Sequence, residues 1–153
     1  MHRWKSLLAF LVVTFAAAAL GSLSMPDAWY AALNKPSFNP PNWIFAPVWT
    51  VLYVLIAVAA WRVWKQAGGW CVALSLWLLQ LILNALWTPL FFSMHRIDLA
   101  LIDIVALSLV LIATIVAFFP RDRVAAWMLV PYLAWVSFAT LLTASIYHLN
   151  PTG

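Results

Sequence analysis

Glutamate is absent from this chain, cysteine occurs once, and only 8% of the residues are charged. A soluble domain carries about 25% charged residues. So few cannot cover a surface that faces water, so the chain reads as an integral membrane protein. The lone Cys71 excludes a disulfide framework and a cysteine metal site. No Cys/His cluster has the spacing of a zinc site, and no glycine-rich phosphate loop is present. The three histidines, His2, His95 and His148, fall at expected membrane edges, where none stands at the bilayer centre to ligate a haem iron. No lysine lies mid-span to carry a Schiff base. The net charge of +4 does not point to nucleic acid. The basic residues lie between apolar runs, where orientation signals sit.

What is present is apolar. Hydrophobic residues make up 67% of a chain of 153 residues, a length that suits one domain. Five stretches reach the ~20 residues needed to cross a bilayer: 5–24, 43–64, 70–92, 97–119 and 124–147. Backbone groups in lipid must pair within their own segment, so these are helices and the fold is an all-α membrane bundle. They lack the alternation of a membrane β-barrel. The first stretch has a rival reading as a cleavable signal peptide, since Arg3 and Lys5 precede an apolar run ending in small residues. Ala17 and Gly21, like Ala18 and Ser22, are small residues four apart, suited to close helix packing in the bundle or at a dimer seam.

With an odd number of spans the two ends lie on opposite sides. Arg3, Lys5, Arg62, Lys65, Arg121 and Arg123 gather on one side, Lys35 and Arg96 on the other. This bias puts the N-terminus in the cytoplasm, with the first loop and the C-terminus outside.

Residues 34–53, NKPSFNPPNWIFAPVWTVLY, carry Pro36, Pro40, Pro41 and Pro47 among large aromatics. Proline fixes φ and lacks an N–H, so this is a stiff loop leading into a helix and not a flexible linker. Such a loop serves as a lid for a pocket, or else as a rigid turn anchored at the headgroups. A short helix is expected within 25–42, with Trp29, Tyr30 and Leu33 on one face. Pro47 falls early in the second span, where a missing N–H matters least. Trp61 and Trp64 near its basic end read as interfacial anchors.

In the third span Trp77, Gln80, Asn84 and Trp87 share one helix face. Amides in hydrocarbon need partners, so this face points inward, as glue between helices or as part of a site. Trp87-Thr88-Pro89 breaks or kinks the span near its end. Asp103 is an ionisable group within the fourth span, functional by default or else bonded to a neighbouring span such as that of Asn84. Secondary transport would rest on Asp103 alone. In the fifth span Pro131 falls mid-run, and Trp135, Phe138 and Leu142 share its face. Trp49, Trp87 and Trp135 thus come from three spans, with Tyr30, Phe38 and Trp43 available to close over them. The physical reading is a binder of flat, apolar molecules. The alternative is an aromatic core with an interface belt.

Several strings carry a resemblance. Trp29-Tyr30, Asn34-Lys35-Pro36-Ser37-Phe38, Pro40-Pro41-Asn42-Trp43, Pro47-Val48-Trp49 and Tyr53 come first. Asn84-Ala85-Leu86-Trp87-Thr88-Pro89-Leu90-Phe91-Phe92 and Pro131-Tyr132-Leu133-Ala134-Trp135 follow in order. Together they resemble the tryptophan-rich sensory protein and translocator protein (TspO/MBR, peripheral benzodiazepine receptor) family, over about 29–147. The resemblance implies five membrane helices, a homodimer, no covalent cofactor, and protoporphyrin IX or a related tetrapyrrole as ligand. It implies a pocket beneath the first loop made of Ala19, Ser22, Phe45, Ala46, Val48, Trp49, Asn84, Trp87, Leu99, Ile102, Ala106, Trp135, Ala139 and Leu142. Many members carry Trp where Leu99 stands, so that wall departs from the pattern. Some bacterial members degrade porphyrin in light through the tryptophans matching Trp49 and Trp135. Animal members carry a sterol motif near the C-terminus. Here Leu142 and Tyr147 are present, but His148 replaces its basic residue.

Overall fold

A computed structural model describes residues 2–22, 32–37 and 42–150. The first and last of these are mostly helical, 32–37 is mostly loop, and there is no strand among the described residues. The first helix, α1, spans His2–Ser22. Then come α2, Asn42–Ala67, and α3, Val72–Thr88, which runs into a π-helical turn at Pro89–Ser93. α4 spans Ile97–Phe118. The last apolar run forms two helices, α5 over Arg123–Met128 and α6 over Val130–Leu149.

Among the described residues, four segments are long and apolar enough to cross a membrane: Pro47–Ala67, Val72–Phe92, Ile97–Phe118 and Arg123–Leu149. The 22 residues of α4 rise about 33 Å, against a hydrocarbon core of ~30 Å. The apolar part of α1, Trp4–Ala19, is shorter. Apolar side chains cover the outer faces: Val51, Ile82, Leu109, Val116 and Leu141 are all exposed. In water such a surface would drive aggregation, whereas lipid accepts it.

Helix neighbours define a closed ring. α1 lies against α2 and α3, α3 against α4, α4 against α6, and α5 and α6 against α2. Each helix therefore turns one face to a common centre. In α3 that face is Trp77, Gln80 and Asn84, all buried, with Trp87 half-buried. The stripe seen in the sequence is thus the inner face of α3.

The helix ends follow from local chemistry. α2 stops where Gly68 takes φ +72°, and the Gly69 amide closes the cap on the Trp64 carbonyl at 3.2 Å. Cys71 is extended at φ −145°, so α3 begins at Val72 and not at 70. Pro89 cannot continue the α-helical ladder, and the chain widens into the π turn, closed by the Met94 amide on the Pro89 carbonyl at 2.9 Å. Asp122 caps α5 by accepting from the Ala125 amide at 3.0 Å.

Two sequence expectations about proline change. The structure begins α2 at Asn42, so Pro47 lies in its second turn and one ladder bond is unmade. Pro131 is not mid-helix. The run breaks at Leu129, and Pro131 falls in the first turn of α6, where its missing N–H has no partner to lose. Trp64 also departs from its expected role as an interfacial anchor. It packs edge-on against Phe10 with centroids 5.9 Å apart.

Candidate functional site

Trp49 on α2 is the centre of a ring cluster. It stacks on Tyr53, one turn further along, at 5.4 Å and 28°. It meets Trp135 of α6 edge-on at 6.3 Å and 89°, and Tyr132 at 6.3 Å and 70°. Phe138 extends the cluster at 5.5 Å from Trp135. Edge-to-face pairs at these distances favour a fixed arrangement, because the positive rim of one ring meets the negative face of the next. Trp49 and Trp135 remain half-buried.

Beneath the rings lies a chain of polar groups drawn from three helices. The Tyr53 hydroxyl donates to Asn84 Oδ1 at 3.0 Å. Asn84 Nδ2 donates to the Tyr132 hydroxyl at 2.6 Å, and that hydroxyl donates to Gln80 Oε1 at 2.8 Å. Each link joins two spans, and bonds of this kind in a membrane interior contribute about 0.6 kcal/mol each on average. Asn84 is therefore glue between α2, α3 and α6 while also forming the floor of the ring cluster. Gln80 Nε2 and Asp103 Oδ2 are buried with no hydrogen-bond partner among the described residues. Asp103 lies on the inner face of α4 and makes no bond to Asn84, whose two ends each meet a tyrosine.

Trp87 joins two apolar clusters. It packs against the main core, and also against the smaller group of Phe91, Ile97, Ala100, Leu142 and Ile146. Phe91 and Phe92 of the π turn flank it at 5.2 and 6.0 Å. Its Nε1 has no hydrogen-bond partner among the described residues. Leu33 of the first loop packs on this second cluster. Two bonds tie the same loop to the end of α6. The Asn34 amide donates to Asn150 Oδ1 at 3.1 Å, and Asn150 Nδ2 donates to the Asn34 carbonyl at 2.8 Å.

The residues singled out from sequence divide accordingly. Val48, Trp49, Asn84, Trp87, Trp135 and Ala139 line or underlie this end of the bundle, and Leu142 sits in the smaller cluster beside it. Leu99 and Ala106 are half-buried on α4. Ile102 does not join them: it is 66% exposed on the outer face. Ala19 is exposed. Tyr30 and Phe38 lie outside the described residues. So do the side chains of Ser22, Trp43, Phe45 and Ala46, although their backbones belong to α1 and α2. Tyr53 and Tyr132 are the residues that sequence reading passed over as site members. Their spacing from Trp49 (four residues) and Trp135 (three) was the available signal.

Apolar helices ringed around interior aromatics and a buried polar chain define a multi-pass helical membrane protein. Residues 8–149 match the TspO/MBR family. The chain is 44% identical over 147 residues to the tryptophan-rich sensory protein of Cereibacter sphaeroides, covering 96% of this chain and 92% of that one. It is 40% identical to protein CrtK of Rhodobacter capsulatus, covering 93% and 91%. The human translocator protein is 40% identical over 126 residues, covering 80% and 75%. The chain belongs to the TspO/MBR family.

Proposed function

We propose that the protein is a five-span membrane receptor and regulator that binds protoporphyrin IX or a related tetrapyrrole among the rings of Trp49 and Trp135, under the first loop. The observation that carries this reading is the perpendicular Trp49–Trp135 pair, half-buried at 6.3 Å, with Tyr53, Tyr132 and Phe138 around it. Flat π-faces held open in an apolar setting suit a flat, apolar ligand. The Trp87 N–H, with no hydrogen-bond partner among the described residues, supplies a polar group that orients such a ligand above the Asn84 floor. Family membership and the names of the relatives, a sensory protein and a translocator, support a receptor or regulator in a membrane.

In this reading the pocket takes Ala19, Ser22, Phe45, Ala46, Val48, Leu99, Ala106, Ala139 and Leu142 as its remaining wall, and Tyr30, Phe38 and Trp43 as its lid. The side rich in Arg62, Lys65, Arg121 and Arg123 faces the cytoplasm, and two copies pair as a homodimer. Ile102 faces outward in the monomer and is left out of the wall.

The test is a titration of the detergent-purified protein with protoporphyrin IX in the dark, followed by tryptophan fluorescence. Saturable quenching is expected, about three- to tenfold weaker in Trp135→Phe, the range of an aromatic pair. Linear quenching, equal in both proteins, would mean partition into detergent and would end this reading.

A second reading follows from the same indole pair: light- and oxygen-dependent breakdown of the bound porphyrin. The close perpendicular contact of two oxidisable rings favours it. Illumination of the titrated samples separates the two readings. A breakdown product lost in both Trp49→Phe and Trp135→Phe marks a photoenzyme, and unchanged porphyrin marks a binder.

A further inference from the structure

The end of the bundle away from the ring cluster carries a hollow that this reading does not use. Thirteen residues of α2 separate Trp49 from Arg62, a rise of about 20 Å. The hollow encloses about 500 Å3, between Ser6 of α1, Arg62, Lys65 and Gln66 of α2, Gly68, and Asp122 at the head of α5. A second hollow of about 320 Å3 shares Gln66 with the first and is lined besides by Pro120 and Arg121.

The charges there do not balance. Among the described residues, Asp122 is the one carboxylate in the lining of either hollow. It is already engaged by Arg62, at 3.2 Å from Nε and 3.4 Å from the terminal nitrogen, and by the Ala125 amide. Its charge therefore answers Arg62 and no other cation. Lys65 and Arg121 remain exposed, with no carboxylate of the lining left to pair with them. Lys65 is held in place as well as charged, since its ammonium lies 3.8 Å over the Trp61 ring. Gln66 lines both hollows, one beside Lys65 and the other beside Arg121, and offers a neutral hydrogen-bonding amide to each. Such a groove fits an anion, and the paired Arg62–Asp122 contact fixes its wall.

The surroundings decide which anion. The same end exposes Trp4, Leu8, Trp70 and Val72, so apolar surface begins beside the groove. A soluble anion has no use for that surface. A lipid does, because its headgroup meets the cations while its chains run along the helices. Basic pockets between membrane helices bind anionic headgroups for this reason.

We propose that this groove seats the phosphate of an anionic phospholipid, held by Lys65 and Arg121 together with Gln66. The site is separate from the ring cluster, so it stands or falls independently of tetrapyrrole binding.

The test uses the full chain in detergent micelles, with retained lipid counted by native mass spectrometry. Phosphatidylglycerol, phosphatidylcholine and inorganic phosphate are titrated in turn. Phosphatidylglycerol is expected to be retained at several-fold lower concentration than phosphatidylcholine. Lys65→Gln and Arg121→Gln should each weaken its retention about fivefold, the effect of one basic residue near a charged surface. Both side chains are exposed and leave the Arg62–Asp122 pair intact, so the variants keep the wild-type melting temperature. Arg96→Gln, at the other end, should change nothing. Equal retention of the two lipids, or selectivity that survives the double variant, would overturn the proposal. Displacement of phosphatidylglycerol by millimolar phosphate at matched ionic strength would overturn the lipid as the occupant and leave a free-anion site.

Discussion

Tryptophan plays two different parts in the two halves of this bundle. In the basic half Trp77 is sealed at 1% exposure, with Phe10 edge-on at 5.5 Å. Its N–H donates to the Ile56 carbonyl at 3.1 Å. In the loop half Trp49, Trp87 and Trp135 are half-buried, near the side-chain bonds that join Tyr53, Asn84 and Tyr132. An indole whose ring is enclosed and whose N–H is tied to a carbonyl is a structural element. Indoles held half-open over an amide floor keep a face for something else. Under the proposed function, the contrast separates core from site within one residue type, which composition cannot do.

Substitutions can break that contrast, and the largest effect belongs to the sealed half. Trp77→Ala should lower stability by about 3–5 kcal/mol, the range for deleting a buried large aromatic. The melting temperature in detergent should fall sharply while the folded fraction keeps its affinity for protoporphyrin IX. A melting temperature within a few degrees of wild type would show that the two halves do not differ. Next comes Asp122→Ala, which removes the cap of α5 and leaves Arg62 without its carboxylate. A loss of about 1–2 kcal/mol is expected in chemical unfolding, most of it from the cap. The remainder, from a half-exposed pair, should fade at high salt. Trp135→Phe should have the opposite signature to Trp77→Ala, with a change in stability below about 1.5 kcal/mol and a clear loss of porphyrin affinity. The smallest effect is expected from Asn150→Ala, which cuts the loop from the end of α6. It should lower stability by about 0.5 kcal/mol, yet speed hydrogen exchange at residues 32–37. Unchanged exchange there would show that the two asparagine bonds do not hold the loop.

Long apolar runs made the four spanning segments legible, because lipid leaves the backbone no alternative to helix. The α3 stripe was legible for the same reason: Gln80 and Asn84 need partners, so their face had to turn inward. Their partners were not legible. Tyr53, Gln80, Asn84 and Tyr132 meet across 31, 48 and 52 residues of chain, and no local pattern encodes such pairings. The break at Leu129 was hidden because proline reads alike in the middle of one helix and at the start of the next. Ile102 shows the limit of carrying positions from a family. A position transfers along the helix, but each residue turns the side chain by about 100°, and Ile102 stands exposed on the outer face of α4. Aromatic spacing pointed to Trp49, Trp87 and Trp135, while the direction of each ring and the sealing of Trp77 came only with the packing.

Asn84 limits how freely this chain can change. The amide that floors the ring cluster is also the rivet between α2, α3 and α6. A substitution that retuned ligand preference through Asn84 would loosen three helices at the same time. Leu99 and Ala106 carry no such double duty, since neither holds a hydrogen bond across the bundle through its side chain. If the proposed pocket is right, drift in specificity is channelled to Leu99 and Ala106 of α4, while the polar floor is held in place by the fold.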